Sequence, residues 1–217
     1  MRYRAILFDM DGVLIESEAL TAKVAVQTLR EFGIEAKETD FAQFSGCGED
    51  RYIGGVAEMY GVPYQKIMKA RLYENYGKVV CDEVIVPPML KETLTALRAC
   101  GYKMAVCSAA DREKVEWNLR AIGMGENFFD YVVTGSEVEH QKPAPDIYLN
   151  GAARLGMQPE ECIVIEDAPA GIKAAHAAGI TAVALCTTFK EDYLREQAQP
   201  DYIIPALKDL PALLEIL

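Results

Sequence analysis

The sequence predicts an α/β protein in which an α-helical domain is inserted into a doubly wound, Rossmann-like parallel sheet. Short apolar runs rich in β-branched residues alternate with helical patterns along most of the 217 residues. Most of these runs are continuous rather than interrupted by polar residues, which is typical of parallel strands buried on both faces. Residues 15–85 break the alternation, because they carry helical periodicity without a convincing strand.

The predicted strands, in chain order, are residues 5–8, 103–107, 131–134, 162–165, 181–186 and 202–204. Helical periodicity fills most intervals after residue 85, and the predicted helices are residues 90–100, 112–122, 145–155 and 170–178. Each of these helices stops before a glycine, the residue that most readily takes the left-handed conformation found at helix ends. Asp111 precedes the second of these helices and is its expected N-cap.

The helical stretch follows the first strand directly, and this divides the chain into two units. We assign residues 1–14 and 86–217 to the core domain that contains the sheet, and residues 15–85 to the inserted helical domain. Two consecutive prolines, Pro87 and Pro88, rigidify the return of the chain to the core.

Composition argues against several classes of partner. Lys and Arg total 22 against 33 Asp and Glu, so the formal net charge is −11 and the field repels a phosphodiester backbone. We therefore expect no nucleic-acid partner. The six cysteines form no CxxC motif, and we see neither a signal peptide nor a membrane-spanning stretch, so we expect a cytoplasmic protein without a membrane partner. No pattern indicates oligomerisation, and we expect a monomer.

Acidic residues follow the predicted strands at the edge where an open α/β sheet binds its ligands. The first strand delivers Asp9 and Asp11, the second delivers Ser108, and the fourth delivers Glu166 and Asp167. Four carboxylates brought together repel one another unless a cation lies among them. Oxygen ligands without His or Cys favour Mg²⁺, which usually completes its shell with water and substrate phosphate. The sequence therefore predicts a Mg²⁺ site and phosphoryl chemistry at this edge.

Four motifs in this order resemble those of the haloacid dehalogenase-like hydrolase superfamily. They are the segment DMDGVL at residues 9–14, Ser108, Lys142 in the segment KPAPD, and the pair Glu166-Asp167. The resemblance covers essentially the whole chain. Residues 15–85 are similar to the helical cap domain of the branch that includes β-phosphoglucomutase and many phosphatases of small metabolites, and the resemblance implies Mg²⁺ as the cofactor.

The resemblance also implies roles for the acidic residues. Asp9 is the expected nucleophile, which forms an aspartyl-phosphate, and Asp11 is the expected acid and base. Mg²⁺ is expected on the side chains of Asp9 and Asp167 and on the backbone carbonyl of Asp11, with Glu166 beside them. An aspartate at position 11 argues against carbon–halogen cleavage, which has no need of that proton donor.

The phosphoryl oxygens are assigned by the same resemblance to the second and third motifs. Ser108, together with the amide of Ala109 and others at the start of the following helix, offers hydrogen-bond donors, since a helix N-terminus attracts anions. Lys142 supplies a compact positive charge. Arg51, in the cap, is the candidate for contact with the rest of the substrate.

The cap favours a phosphatase over a phosphosugar mutase. The mutase branch carries a His on the first cap helix and a Lys and an Arg in a cap loop, where this sequence has Thr21, Ser45 and Glu49. With Arg51 as the nearest replacement, fewer cations are available for a second phosphate. We therefore expect a Mg²⁺-dependent phosphatase of a small phosphorylated metabolite such as a sugar phosphate. A β-phosphoglucomutase-type mutase is the alternative, followed by a catalytically silent binding relative.

Overall fold

The computed structural model describes residues 2–44, 48–125 and 127–217. Its strands are β1 (Ala5–Phe8), β2 (Lys103–Ser108), β3 (Tyr131–Thr134), β4 (Cys162–Glu166), β5 (Thr181–Leu185) and β6 (Tyr202–Ile204). They form one parallel sheet in the order β3-β2-β1-β4-β5-β6. The order reverses between β1 and β4, so the sheet is doubly wound. The predicted fold class is confirmed.

Two strands extend one residue beyond their predicted ends. β2 includes Ser108, which pairs with Thr134, and β4 includes Glu166, which pairs with Ala184. A prediction from apolar runs omits a polar residue at the end of a strand, because backbone pairing, and not hydrophobicity, defines where the strand ends. These two residues are therefore held by the sheet itself.

Helices cover both faces of the sheet and build the insertion. They are α1 (Glu18–Glu31), α2 (Glu49–Met59), α3 (Lys66–Glu83), α4 (Leu90–Ala99), α5 (Arg112–Ala121), α6 (Asp146–Leu155), α7 (Pro169–Ala177), α8 (Glu191–Ala198) and α9 (Leu210–Ile216), with a 3₁₀ segment at Glu38–Phe44. The four predicted helices correspond to α4 to α7, within one residue at each end. In the described part of the chain, no helix has both the length and the apolar composition to cross a bilayer.

The sheet separates two hydrophobic layers in the core domain. All of β1 is buried, and its side chains alternate between the layers. Ile6 and Phe8 pack with residues of α4, α5 and α9, whereas Leu7 packs with residues of α6, α7 and α8. Packing on both faces fixes the position of β1, from whose end the first acidic motif emerges.

The inserted helices have a hydrophobic core of their own, to which buried residues of each helix contribute, among them Leu29, Ile53 and Leu72. Where the chain leaves and re-enters the core domain, the amide of Glu16 donates a hydrogen bond of 2.9 Å to the carbonyl of Ile85. The domain boundaries at 14/15 and 85/86 stay a prediction.

Helix α3 of the insertion packs against α5 of the core domain. The Tyr76 hydroxyl donates a buried hydrogen bond of 2.7 Å to Asn118 Oδ1. The next residue of α3, Gly77, lies against the ring of Trp117, where a Cβ would come within 2.7 Å of the indole nitrogen. A larger residue at position 77 would therefore push the two helices apart.

Asp111 stands at the N-cap position of α5, as the sequence predicted, but its side chain makes no capping hydrogen bond. Its Oδ2 instead accepts hydrogen bonds from Lys69 Nζ (2.9 Å) and from the Tyr73 hydroxyl (3.0 Å), both on α3. A charged donor binds a carboxylate more strongly than a backbone amide does, so the carboxylate turns to the insertion.

Candidate active site

The ends of three neighbouring strands bring the predicted site residues to one edge of the sheet. Phe8 of β1 is in register with Val106 of β2 and Ile165 of β4. Asp9, the residue that follows β1, therefore leaves the sheet at the level of Glu166. These polar residues lie at the carboxyl edge where the strand order reverses, which is the usual position of a ligand site in this architecture.

Lys142 pairs with two of the carboxylates. Its Nζ lies 2.5 Å from Asp9 Oδ1 and 2.7 Å from Glu166 Oε1, and 4.9 Å from the centre of the Tyr148 ring. Burial opposes the charge of the ammonium, but Asp9 and Glu166 outweigh it and raise the pKa of Lys142. Lys142 therefore stays charged although only 9% of its side chain is exposed.

Glu166 uses its whole carboxylate to orient its neighbours. Oε1 accepts hydrogen bonds from Lys142 Nζ and from the Tyr148 hydroxyl (2.9 Å), and Oε2 accepts them from the next two backbone amides, both at 2.9 Å. A Cβ on Gly171 would overlap this carboxylate. Four hydrogen bonds suit Glu166 to positioning Lys142 better than to direct metal ligation.

Asp9, Glu166 and Asp167 form a buried cluster, in which one carboxylate oxygen of each lies within 4.8 Å of the others. Burial, with Lys142 acting against it and Glu166 adding to it, raises the pKa of Asp9 to about 7. Burial and the charges of Glu166 and Asp9 raise the pKa of Asp167. Mutually repelling oxygen donors fit a hard divalent cation such as Mg²⁺. Asp9 and Asp167 are the side chains best placed to hold it.

Gly12 makes room for the carboxylate of Asp167. Its φ is +82°, and a Cβ at this position would overlap the Asp167 carboxylate. The Thr187 hydroxyl donates a hydrogen bond of 2.6 Å to the carbonyl of Gly12. The glycine of the DMDGVL segment is thus required both by its backbone conformation and by the close approach of Asp167.

Asp11 has different partners from Asp9. The Ser17 hydroxyl donates a hydrogen bond to Asp11 Oδ1. Lys114 Nζ lies 3.4 Å from the same oxygen, and Asn118 Nδ2 lies 3.5 Å from it. Two carboxylates that are two residues apart in sequence therefore experience separate surroundings, as two separate chemical roles require.

Lys114 and Glu49 are site residues that the sequence analysis missed. Lys114 Nζ lies between Asp11 and Glu49, 3.4 Å and 3.7 Å from their oxygens. Burial opposes the charge of Lys114, but Asp11 and Glu49 raise its pKa; burial raises the pKa of Glu49, with Lys114 acting against it. Lys114 shares the buried stripe of α5 with Val115 and Leu119. The position of Lys114 in that stripe indicates from the sequence that it is buried. The sequence does not indicate that Glu49, in the insertion, is its partner.

Ser108 and Ala109 form the turn that follows β2. Ser108 is 1% exposed, and its Oγ accepts a hydrogen bond of 3.2 Å from the amide of Ala110. The carbonyl of Ala109 lies so close to Gly135 that a Cβ there would collide with it. The turn is tightly held, and its binding of phosphoryl oxygens stays a prediction.

Contact of Arg51 with the substrate stays a prediction, and the structure places its guanidinium against other residues of the insertion. Arg51 lies in α2, and its guanidinium pairs with Glu58 of the same helix at 2.8 Å over the ring of Phe44, with 56% of the side chain exposed. A nearby carboxylate on its own helix holds the charge at the surface. Thr21 on α1 donates a hydrogen bond of 2.8 Å to the Ser17 carbonyl, and Ser45 lies outside the described residues.

Residues 6–185 match the family model of the haloacid dehalogenase-like hydrolases. The chain belongs to this family. The matched region includes all four motifs and the whole insertion, so the resemblance seen in the sequence is confirmed.

Three relatives illustrate the likeness. The chain is 41% identical over 198 residues to the chloroplastic protein SUPPRESSOR OF QUENCHING 1 of Arabidopsis thaliana. The aligned residues make up 88% of the chain but 19% of the plant protein. The chain therefore spans about a fifth of the length of that relative. It is 30% identical over 182 residues to fructose-1-phosphate phosphatase YqaB of Escherichia coli, covering 84% of the chain and 96% of the relative. The crystal structure of a predicted phosphoglycolate phosphatase from Haemophilus somnus has the same fold, with a TM-score of 0.86 at 24% identity over 99% of both chains.

Proposed function

We propose that this protein is a Mg²⁺-dependent phosphatase that hydrolyses a small phosphorylated metabolite, of the sugar phosphate class, through an aspartyl-phosphate at Asp9. The observation that carries the proposal is the surroundings of Asp9. Its buried carboxylate contacts Lys142 at 2.5 Å and shares a cluster with Asp167. Membership of the hydrolase family and the name of the YqaB relative support the same reaction.

The charges around Asp9 suit a phosphoryl group. Phosphoryl transfer asks the protein mainly to position the nucleophile and to neutralise the equatorial oxygens. Lys142 supplies a fixed positive charge, and Ser108 with the amides at the start of α5 supplies hydrogen-bond donors. Asp9 and Asp167 would hold Mg²⁺, which, when bound, supplies the positive charge that neutralises phosphoryl oxygens.

The reaction proceeds in two displacements at phosphorus. In the first, an Asp9 oxygen attacks the phosphorus, the ester P–O bond breaks, and the leaving oxygen takes a proton from Asp11. In the second, Asp11 takes a proton from water as the water oxygen attacks the phosphorus. The bond between phosphorus and Asp9 then breaks, which releases inorganic phosphate and restores both aspartates.

The contacts of Asp11 suit it to the transfer of a proton in both directions. Ser17, Lys114 and Asn118 surround its Oδ1 from two different elements, the segment before α1 and helix α5. These contacts fix the orientation of the carboxylate without tying it to Lys142. The two aspartates can therefore carry out separate steps in one turnover.

Two observations favour hydrolysis over the mutase alternative. The Thr21 hydroxyl is committed to the Ser17 carbonyl, and the Arg51 guanidinium is committed to Glu58. Neither is directed at a second phosphate group of a bisphosphate intermediate. A catalytically silent relative is disfavoured as well, because Asp9, Lys142 and the acidic cluster are present and in contact.

A phosphate-release screen tests this proposal. The protein is incubated with Mg²⁺ and a panel of sugar phosphates, phosphoglycolate and pyrophosphate, while conversion of β-glucose 1-phosphate to glucose 6-phosphate is followed in parallel. We expect release that is abolished by EDTA and by Asp9→Asn. Isomerisation without release would establish the mutase, and inactivity on the whole panel would favour the silent relative.

A further inference from the structure

The two oxygens of the Asp11 carboxyl group have different surroundings. Oδ1 accepts a hydrogen bond from the Ser17 hydroxyl, and Asn118 Nδ2 lies 3.5 Å from the same oxygen. Lys114 Nζ lies 3.4 Å from Oδ1 and 3.5 Å from Oδ2, so the ammonium does not distinguish between the two oxygens. Ser17 and Asn118 are therefore the contacts that make Oδ1 different from Oδ2.

The insertion orients the side-chain amide of Asn118. The hydroxyl of Tyr76 on α3 donates a hydrogen bond of 2.7 Å to Asn118 Oδ1, so the donor end of the amide, Nδ2, faces Asp11. Asn118 is 0% exposed and Tyr76 is 1% exposed, so bulk water does not compete for these groups. An inverted amide would set its oxygen against Asp11 Oδ1, acceptor against acceptor, and the hydrogen-bond partners therefore specify one orientation.

Ser17 and Asn118 differ in what they allow at Asp11 Oδ1. A hydroxyl group both donates and accepts, so Ser17 can rotate to receive a hydrogen bond from a protonated Oδ1. The Nδ2 group of an amide only donates, and a proton on Oδ1 would meet the hydrogens of Asn118 Nδ2. A carboxylic acid keeps one acceptor oxygen, so Oδ1 can accept from Asn118 whether Asp11 is protonated or ionised. Asn118 therefore selects the oxygen that carries the proton.

We propose that Asn118, oriented by Tyr76, is a positioning residue that keeps Asp11 Oδ1 as an acceptor and leaves Oδ2 to carry the transferred proton. This inference rests on the proposed function. In the first displacement the proton moves from Oδ2 to the leaving oxygen as the ester P–O bond breaks. In the second, Oδ2 takes a proton from the water that attacks the phosphorus. Tyr76 belongs to the insertion and Asn118 to the core domain, so both domains contribute to the orientation of the acid–base group.

Two aryl esters separate this positioning role from a general structural role. p-Nitrophenyl phosphate has a leaving group that needs no proton, whereas phenyl phosphate has a more basic leaving oxygen. In Asn118→Leu, kcat/KM should fall at least about tenfold for phenyl phosphate and less than about twofold for p-nitrophenyl phosphate. The kcat for p-nitrophenyl phosphate should fall with its KM, because the later attack by water also needs Asp11. Equal losses of kcat/KM for the two esters would overturn the inference, since damage to the fold does not depend on the leaving group.

Two tyrosines of α3 test the contribution of the insertion. Tyr76→Phe removes the hydroxyl that orients Asn118, and it should lower kcat/KM for phenyl phosphate relative to p-nitrophenyl phosphate about threefold or more. Tyr73→Phe is the matched control and should leave this ratio unchanged, because it removes a hydroxyl from the same helix whose partner on α5 is Asp111. Tyr76→Phe removes one oxygen atom and provides a test even if Asn118→Leu does not fold. A wild-type ratio in either folded variant would contradict the inference.

Crystal structures separate failure of this inference from failure of the proposed function. The wild type, Asn118→Leu and Tyr76→Phe are compared for the side-chain torsion angles of Asp11, where no turnover is needed. If the wild type hydrolyses no ester but the Asp11 carboxyl group rotates in the variants, the proposed function fails and the positioning role stands. If Asp11 keeps its wild-type orientation in both variants, the inference fails whatever the activity.

Discussion

Protons and Mg²⁺ should compete for the same carboxylates, so we predict that the affinity for Mg²⁺ rises with pH. Burial raises the pKa of Asp9 to about 7, and the pKa of Asp167 is raised as well. With a pKa of about 7, Asp9 is ionised in about one molecule in eleven at pH 6 and in about ten in eleven at pH 8. Asp9 alone therefore weakens binding about tenfold between pH 8 and pH 6, and Asp167 adds to this loss.

The raised pKa of Asp9 also determines how the stability of the metal-free protein depends on pH. The pKa of Asp9 in the folded state lies above its ordinary value of 3.8, so the stability that its proton contributes is present below about pH 4 and is lost as the pH rises through about 7. The difference between 3.8 and about 7 corresponds to about 4 kcal/mol. Metal-free protein should therefore melt at a lower temperature at pH 8 than at about pH 5, and Mg²⁺ should restore the melting temperature at pH 8.

Isothermal titration calorimetry measures the competition directly. Mg²⁺ is titrated into metal-free protein between about pH 6 and pH 8 in two buffers of different ionisation enthalpy, which gives affinity and proton release together. Asp9→Asn should reduce the pH dependence of the Mg²⁺ affinity, whereas the surface variant Glu58→Gln should reproduce that of the wild type. An affinity that is constant over this range, without proton release, would refute the reasoning.

Three substitutions probe other parts of the site. Lys142→Met should lower kcat/KM at least about a hundredfold and the free energy of unfolding by about 3–5 kcal/mol, because two buried carboxylates lose their cation; wild-type stability in urea would argue against this pairing. Asp11→Asn should slow hydrolysis of alkyl phosphates far more than that of p-nitrophenyl phosphate, whose leaving group needs no proton; equal losses would exclude Asp11 as the acid. Gly171→Ala should lower the free energy of unfolding by about 1–3 kcal/mol, because its methyl group meets the Glu166 carboxylate. Gly125→Ala, where a methyl group would have open space, is the control for Gly171→Ala. Equal melting temperatures for the two variants would contradict the overlap with Glu166.

The sheet was predictable because most of its strands are continuous apolar runs, which are typical of parallel strands buried on both faces. The same reasoning located Asp9, Ser108 and Glu166, since residues that end neighbouring parallel strands must meet at one edge. The predicted ends of β2 and β4 were one residue too early, because the last residue of each strand is polar and an apolar pattern does not show backbone pairing. Helices α8 and α9, and the individual helices of the insertion, were not predicted.

The partners of Asp11 were not predictable in this way. Lys114 and Glu49 come from helices of different domains, and their contact depends on how α3 of the insertion docks on α5. The same docking takes Asp111 away from its expected capping role. Local patterns report which face of a helix is buried, but they do not report which charged residue of another domain lies opposite.

The central claim is that Asp9 carries the phosphoryl group during turnover. The most direct measurement uses Asp11→Asn, in which attack by water is slowed, with p-nitrophenyl phosphate and Mg²⁺, an acid quench, and mass spectrometry of the digested protein. We predict one phosphoryl group on the peptide that contains Asp9, and none in the double variant that also carries Asp9→Asn. A phosphoryl group on another residue, or a burst of p-nitrophenol without any phosphorylated peptide, would contradict the mechanism.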